Sequence, residues 1–395
     1  MSLLGGGNSL LATRMFPPGT QVVTESGAVD VRRLHGNERL QVCLPSGKAG
    51  FRAIKRVYMG SAPGKLFCLQ TSTGRRFCAT PDQPLPYGLQ VTRLFHDLML
   101  VKREGLGFFL VVANGLFRDN VETRILFKRQ EPQSKESVWL LSANLSANQA
   151  NYEQALLSCQ YGIPMFPTGT RKGERTMPEE LFRRLLIEVN TFARARRLLA
   201  DRHLDEELPH WLMRALPEAE LPHRQLLDVV YFGGDDARHA VNRHPLGESL
   251  RITGEKLRNL MTRQVRLESL PNRQEVAERI EAARKDPFAD VQERVRLGLA
   301  KPYFLMPLAY ARPGMVCVAW TPDGLREDPI EQALLERYEG PVYGIDLEGD
   351  EPLVAGGLVM GLARPAGHRA PEPTVEIRLE GSADADTGGP GRSAP

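Results

Sequence analysis

The sequence predicts an α+β protein, in which a mainly-β domain is assembled from two chain segments and interrupted by a mixed α/β insertion. Three observations carry this. Residues 15–94 alternate short β-prone runs with turn residues, residues 303–364 do the same, and the stretch between them, 95–302, includes long runs with helical apolar spacing. Either β block alone is short for an independent core and would leave strand edges unpaired. The simplest arrangement therefore joins the two blocks around a guest.

The elements follow in order. Residues 1–14 read as an N-terminal tail with no apolar run long enough for a secretory signal. In the first block TQVVT precedes the turn ESG, RLQVCL precedes PSGKAG, FRAIKRVYMG follows, and KLFCLQT and RRFCAT flank STG. The insertion opens with FHDLMLV and GFFLVV, a two-strand pattern with a glycine turn. MPEELFRRLLIEVNTFARARRLLADRHL then keeps helical spacing from its starting proline and predicts one helix, and NRQEVAERIEAARKD predicts another. The insertion divides into 95–222 and 223–302. In the second β block FLMPLAY, MVCVAW, VYGIDL and GGLVMGL are separated by ARPG, TPDG and EGDEP. Residues 365–395 are rich in Pro, Gly, Ala, Asp and Ser and predict a disordered tail.

At 42% hydrophobic and 25% charged residues the composition is that of a globular protein. Lys plus Arg is 51 against 48 for Asp plus Glu, so the net charge of +3 gives no general reason for nucleic-acid binding, and any basic surface must be local. No stretch reaches the roughly 20 apolar residues of a membrane span, and the expectation is a cytoplasmic protein with no membrane partner. Cys43, Cys68, Cys78, Cys159 and Cys317 form no C-x-x-C pair and have no histidine at ligand spacing. They are expected to be buried thiols, neither a disulfide framework nor a zinc site. His203, His210, His223, His239 and His244 fit no zinc motif, and no metal is assigned to them.

Four stretches carry a resemblance. They are MFPPGTQVVTESG at 15–27, GRRFCATPDQP at 74–84, GPVYGIDL at 340–347 and LVAGGLVMGL at 353–362. Together, in this order and with the interruption between the second and third, they resemble the conserved blocks of inteins, the protein-splicing elements of the Hint fold. The insertion adds VWLLS, NYEQALLS and YGIP in an order similar to the middle of bacterial inteins found in UvrD-type DNA helicases. The resemblance implies a Hint domain formed by 15–94 and 303–364, with an endonuclease-like guest between them.

It also identifies the positions of the splicing centre. Met15 stands where the nucleophilic Cys or Ser belongs, and Thr80 and Gln83 stand at the ends of the Thr-x-x-His motif. Gly344 replaces a catalytic Asp or Cys, and Gly361 and Leu362 replace the terminal His-Asn. The chemistry needs an activated thiol or hydroxyl and an Asn amide that cyclises with a proton-transferring His. A thioether cannot attack and Leu362 has no amide nitrogen, so the expectation is a splicing-inactive, intein-like protein. The chain has only 14 residues before Met15 and no helicase sequence beside the element, which is read as a freestanding protein.

The resemblance further implies a nuclease module. The two-strand pattern is similar to the start of a GIY-YIG nuclease, with its tyrosines replaced, Arg118 or Arg124 at its arginine and Glu153 at its metal-binding position. LLDVVYFGGDD is similar to a LAGLIDADG helix ending at Asp235, though the same residues also read as a strand. No cofactor is expected, and a divalent cation only with retained nuclease chemistry. Double-stranded DNA is the expected partner, through Arg238, Arg243, Arg251, Lys256, Arg258, Arg263 and Arg266. The alternative is a domesticated Hint scaffold that acts as a protein-interaction or structural component.

Overall fold

The computed structural model describes residues 15–62, 64–89, 96–114, 135–166, 177–214, 225–233, 238–245, 267–286, 289–361 and 375–376. Its two β blocks pair with each other along several strands. Strand Pro341–Leu347 runs antiparallel to both Met15–Phe16 and Ala49–Ser61. Strand Gly324–Arg337 pairs with Lys65–Thr71. Pro84–Leu89 lies between Tyr303–Pro307 and Met315–Thr321, and Gln21–Thr24 meets Val354–Ala355. The β-prone runs thus satisfy their edges with partners some 200 to 300 positions away, which neither block could supply alone. The hairpin from Lys65–Thr71 to Arg76–Ala79 closes through Gly74 at φ +80°, a conformation that glycine adopts without a Cβ penalty.

The first half of the insertion is a four-stranded antiparallel sheet in the order Gly107–Asn114, His96–Arg103, Lys135–Leu145, Trp211–Arg214. Helix α1 (Ala147–Tyr161) starts at a capping box made by Ser146 and Gln149 and ends at Gly162, φ +66°. The single helix expected after residue 177 is two helices, α2 (Glu179–Val189) and α3 (Phe192–Asp201). The chain breaks at Asn190, φ +47°, a residue type enriched in the left-handed region. Buried Thr191 holds the break in place, its Oγ1 accepting the Phe108 N–H at 2.6 Å. The break has a packing cause. Phe182 and Leu186 of α2 join the main core on one face of the sheet, while Ala195, Leu198 and Leu199 of α3 join a separate cluster on the other.

In the second half, strands Gln225–Tyr231 and Ala289–Val295 run parallel, with α4 (Arg273–Lys285) in the crossover between them. His239–Pro245 and Leu267–Leu270 extend the sheet beyond Gln225–Tyr231. The LAGLIDADG-like stretch is therefore a strand as far as Tyr231. Its Asp228 is buried against the guanidinium of Arg294 on the neighbouring strand, and Val229 and Tyr231 enter a core shared with Val316, Val318 and Val359 of the β domain.

Both halves of the insertion are thus docked on the β domain. Met99, Val101, Phe109 and Leu140 share one core with Phe67, Leu85 and Leu308. At that junction Arg312 is 2% exposed, lies over the Phe67 ring and donates to the carbonyls of Leu140, Ala309 and Ala311. Burial pushes its pKa down to about 9. One expectation for the C-terminal tail is corrected: Val375–Glu376, from the alternating segment TVEIRLE, pairs with Met59 and Tyr58.

Candidate functional site

The four intein-like stretches meet at one place. The Thr80 N–H donates to the Met15 carbonyl at 3.2 Å, and the Gln83 N–H donates to the Thr80 carbonyl at 3.0 Å. Met15 lies opposite Gly344 in the pairing of Met15–Phe16 with Pro341–Leu347. The Gly361 N–H donates to the carbonyl of Pro84, next to Gln83, at 2.8 Å. A continuous run of contacts therefore links Gly344, Met15, Thr80, Gln83 and Gly361, although the whole insertion lies in sequence between Gln83 and Gly344. Leu362 lies outside the described residues.

Met15, Gly344 and Gly361 offer neither a nucleophile nor a proton carrier. Where catalytic groups stand in the intein pattern, the space is occupied by packing. Met15 is buried with Tyr58, Leu66 and Val342, and a Cβ on Gly60 would come within 2.6 Å of the Met15 Cε. The Tyr58 ring covers Gly344 so closely that a Cβ there would fall inside it. A Cβ on Gly361 would stand 2.6 Å from the Pro84 Cβ and 2.9 Å from its carbonyl atoms. An Asp at 344 or a His at 361 needs space that is already filled.

Besides the Tyr58 hydroxyl, two polar side chains stand at the centre. Thr80 is 3% exposed and Gln83 fully buried. The Gln83 Nε2 donates to the Pro84 carbonyl at 3.0 Å, whereas Thr80 Oγ1 and Gln83 Oε1 have no hydrogen-bond partner. Such atoms are costly in a fold, at about 1–3 kcal/mol each. They can orient a small polar group, and the Thr80 hydroxyl has no hydrogen-bonded base to activate it for attack.

The nuclease-like residues do not assemble. Glu153, on α1, accepts a hydrogen bond from Ser142 Oγ of the adjacent strand at 2.8 Å, a helix-to-sheet tie and not an open ligand position. Asp235 lies outside the described residues, as do Arg118 and Arg124. With Gln225–Tyr231 in a strand, the described part of the motif is not the helix that the resemblance implies, and the endonuclease-like description is withdrawn. Of the basic residues expected to meet DNA, Arg238 is exposed just before His239–Pro245 and Arg243 is half-buried within it. Arg251, Lys256, Arg258, Arg263 and Arg266 lie outside the described residues.

The cysteines differ from the expectation. Cys43 and Cys317 are buried thiols whose pKa values burial raises to about 12, but Cys159 is exposed and Cys68 and Cys78 form a disulfide. The signal was present without a C-x-x-C motif. Cys68 and Cys78 are equidistant from Thr73, so a hairpin turning there sets them opposite one another. The only group of potential metal-ligating side chains found among the described residues is this pair with Glu336, where the sequence assigns no metal.

No described helix is long and apolar enough to cross a membrane. That does not place the chain in the cytoplasm, and a disulfide is the form that oxidising compartments preserve, so the cytoplasmic expectation is withdrawn. No family model and no curated protein matches the sequence. The narrower description as a helicase intein therefore gains nothing from either comparison and is also withdrawn.

Proposed function

We propose that this is a Hint-type protein that no longer splices and serves as a scaffold for its insertion. One observation carries the reading: residues from all four intein-like stretches meet at one centre, and that centre is filled by Met15, Tyr58 and Pro84 instead of reactive groups. A site kept for reaction needs room for a tetrahedral intermediate and donors aimed at it. Here the room has become core. The test is the mass of the purified protein after days with a strong thiol, which intercepts any thioester. Full-length protein is the expected outcome, and cleavage beside Met15 or after Leu362 would overturn the proposal.

The insertion is then the working surface. The large hydrophobic side chains that stand exposed among the described residues are Tyr152, Leu156, Met165, Met177, Leu181 and Ile187, all within its first half. Such a concentration favours a protein partner at that half. A second reading, duplex DNA at the second half, is favoured by exposed Arg238 and half-buried Arg243, which flank a segment that carries five more basic residues in sequence.

A further inference from the structure

We propose that Cys68, Cys78 and Glu336 form a redox-gated metal site, which in its dithiol state takes a divalent cation of the zinc class and loses it when the disulfide forms. The sheet builds the site. Cys68 and Cys78 are directly opposed on Lys65–Thr71 and Arg76–Ala79. On the other edge of Lys65–Thr71, Gly324–Arg337 sets Leu334 opposite Cys68 and Glu336 opposite Leu66. Side chains two positions apart in a strand share a face, so both sulfurs and the Glu336 carboxylate emerge on the same side. Their ligand atoms lie within 4.8 Å of one another.

The Cα atoms of the two cysteines are 4.1 Å apart, and the backbone ladders on both sides of Lys65–Thr71 hold them there whether or not the sulfurs are bonded. Opening the disulfide therefore leaves two thiols beside a carboxylate on a rigid floor. Two thiolates and one carboxylate suit zinc, whereas magnesium and calcium prefer all-oxygen sites. Three protein ligands leave a fourth position, and since Cys78 is only half-buried and the Glu336 side chain is 39% exposed, that position faces solvent. Glu336 now pairs with Arg76 at 2.6 Å, but the Arg76 side chain is 60% exposed and free to swing away, and an exposed ion pair is a weak competitor for a metal ligand.

The exchange balances. A dithiol reductant supplies two electrons and becomes a disulfide, while the Cys68–Cys78 bond opens to two thiols. The cation displaces both thiol protons as the two sulfur–metal bonds form. A disulfide oxidant reverses this: it takes two electrons from the thiolates, the sulfur–sulfur bond re-forms, and the cation leaves. The switch is close to the intein-like centre, because Cys78 lies two residues before Thr80.

Cobalt(II) is the probe, used with full-length protein carrying Cys159→Ser to remove the exposed free thiol. After phosphine reduction and desalting, a single equivalent of cobalt is expected to give a thiolate-to-metal charge-transfer band with tetrahedral ligand-field absorption. Zinc should bleach both, and oxidised protein should develop neither. Cys68→Ser with Cys78→Ser should abolish the signal. Should that variant not fold, Glu336→Gln decides on its own, because it should retain the thiolate band while loosening cobalt by about tenfold or more. No band in reduced protein beyond that of oxidised protein would overturn the proposal, as would unchanged affinity in Glu336→Gln.

Discussion

If the Tyr58 ring has taken the space of a catalytic side chain at position 344, the two positions must be energetically coupled. Gly344 is not in the left-handed region, so Gly344→Ala carries no backbone strain and reports the contact alone. In an open strand the substitution should be stabilising by roughly 0.5–1 kcal/mol, through the lost entropy of glycine. Here the new Cβ falls inside the ring of a residue that is 7% exposed, and the tyrosine or its strand must shift, which costs about 1–3 kcal/mol. The expected sign is therefore destabilising. Tyr58→Ala alone leaves a cavity and should cost about 3 kcal/mol. In the double variant the clash disappears, so its cost should fall short of the sum of the single costs by about 1–3 kcal/mol. Urea unfolding followed by tryptophan fluorescence measures all three variants, and an unchanged m-value keeps the comparison on native stability. Additivity within about 0.5 kcal/mol, or a stabilising Gly344→Ala, would refute the filled-site reasoning.

Two further predictions concern the insertion. His210 is fully buried, stacked on Tyr310 at 4.7 Å between centroids, and burial holds its pKa well below the ordinary 6.5. The unfolded chain therefore takes up a proton that the fold refuses, and this contribution to stability is complete above pH 6.5 and is lost as the pH falls toward the folded pKa, at about 1.4 kcal/mol per pH unit. His210→Gln should flatten the acid limb of a stability-against-pH curve by that slope, leaving the part from His239, also buried and with its pKa lowered by burial, and an unchanged limb would exclude His210 as its source. The second prediction tests the DNA reading: anisotropy with a labelled duplex should give a log-log salt slope of about −3, flattened by about one for each true contact in an Arg251→Ala, Arg258→Ala, Arg263→Ala variant. Absence of binding at low salt would leave the insertion to a protein partner.

The sequence made some of this legible and concealed the rest for identifiable reasons. The hairpin at 65–79 could be read because its strands, turn and glycine are local. So could α4, which is capped by Asn272 accepting from the Glu275 N–H. The break at Asn190 could not, since helical apolar spacing continues through it and only the two-sided packing of Phe182 against one core and Leu198 against another requires it. LLDVVYF suited a helix or a strand equally. The parallel partner Ala289–Val295 decides, and it lies about sixty residues downstream. At the intein-like centre the substituted positions were visible in the motifs, but not what replaced their side chains. Tyr58 and Pro84 are ordinary strand residues until the fold sets them against Gly344 and Gly361.

That distinction bears on how, under the proposed function, such a centre persists without its chemistry. The contacts of Met15, Thr80, Gly344 and Gly361 follow from strand pairings and backbone hydrogen bonds that also build the core, so the fold cannot lose them without losing those pairings. Reactive side chains are different. They need space and unpaired polar atoms, both of which weaken a fold, and once reaction is no longer required their replacement by apolar contacts is favourable. Under the function proposed above, the methionine, the tyrosine ring over Gly344 and the proline against Gly361 are replacements of that kind. Under the same proposal Thr80 Oγ1 and Gln83 Oε1 are what has not been replaced, and their lack of partners is a cost the fold still carries.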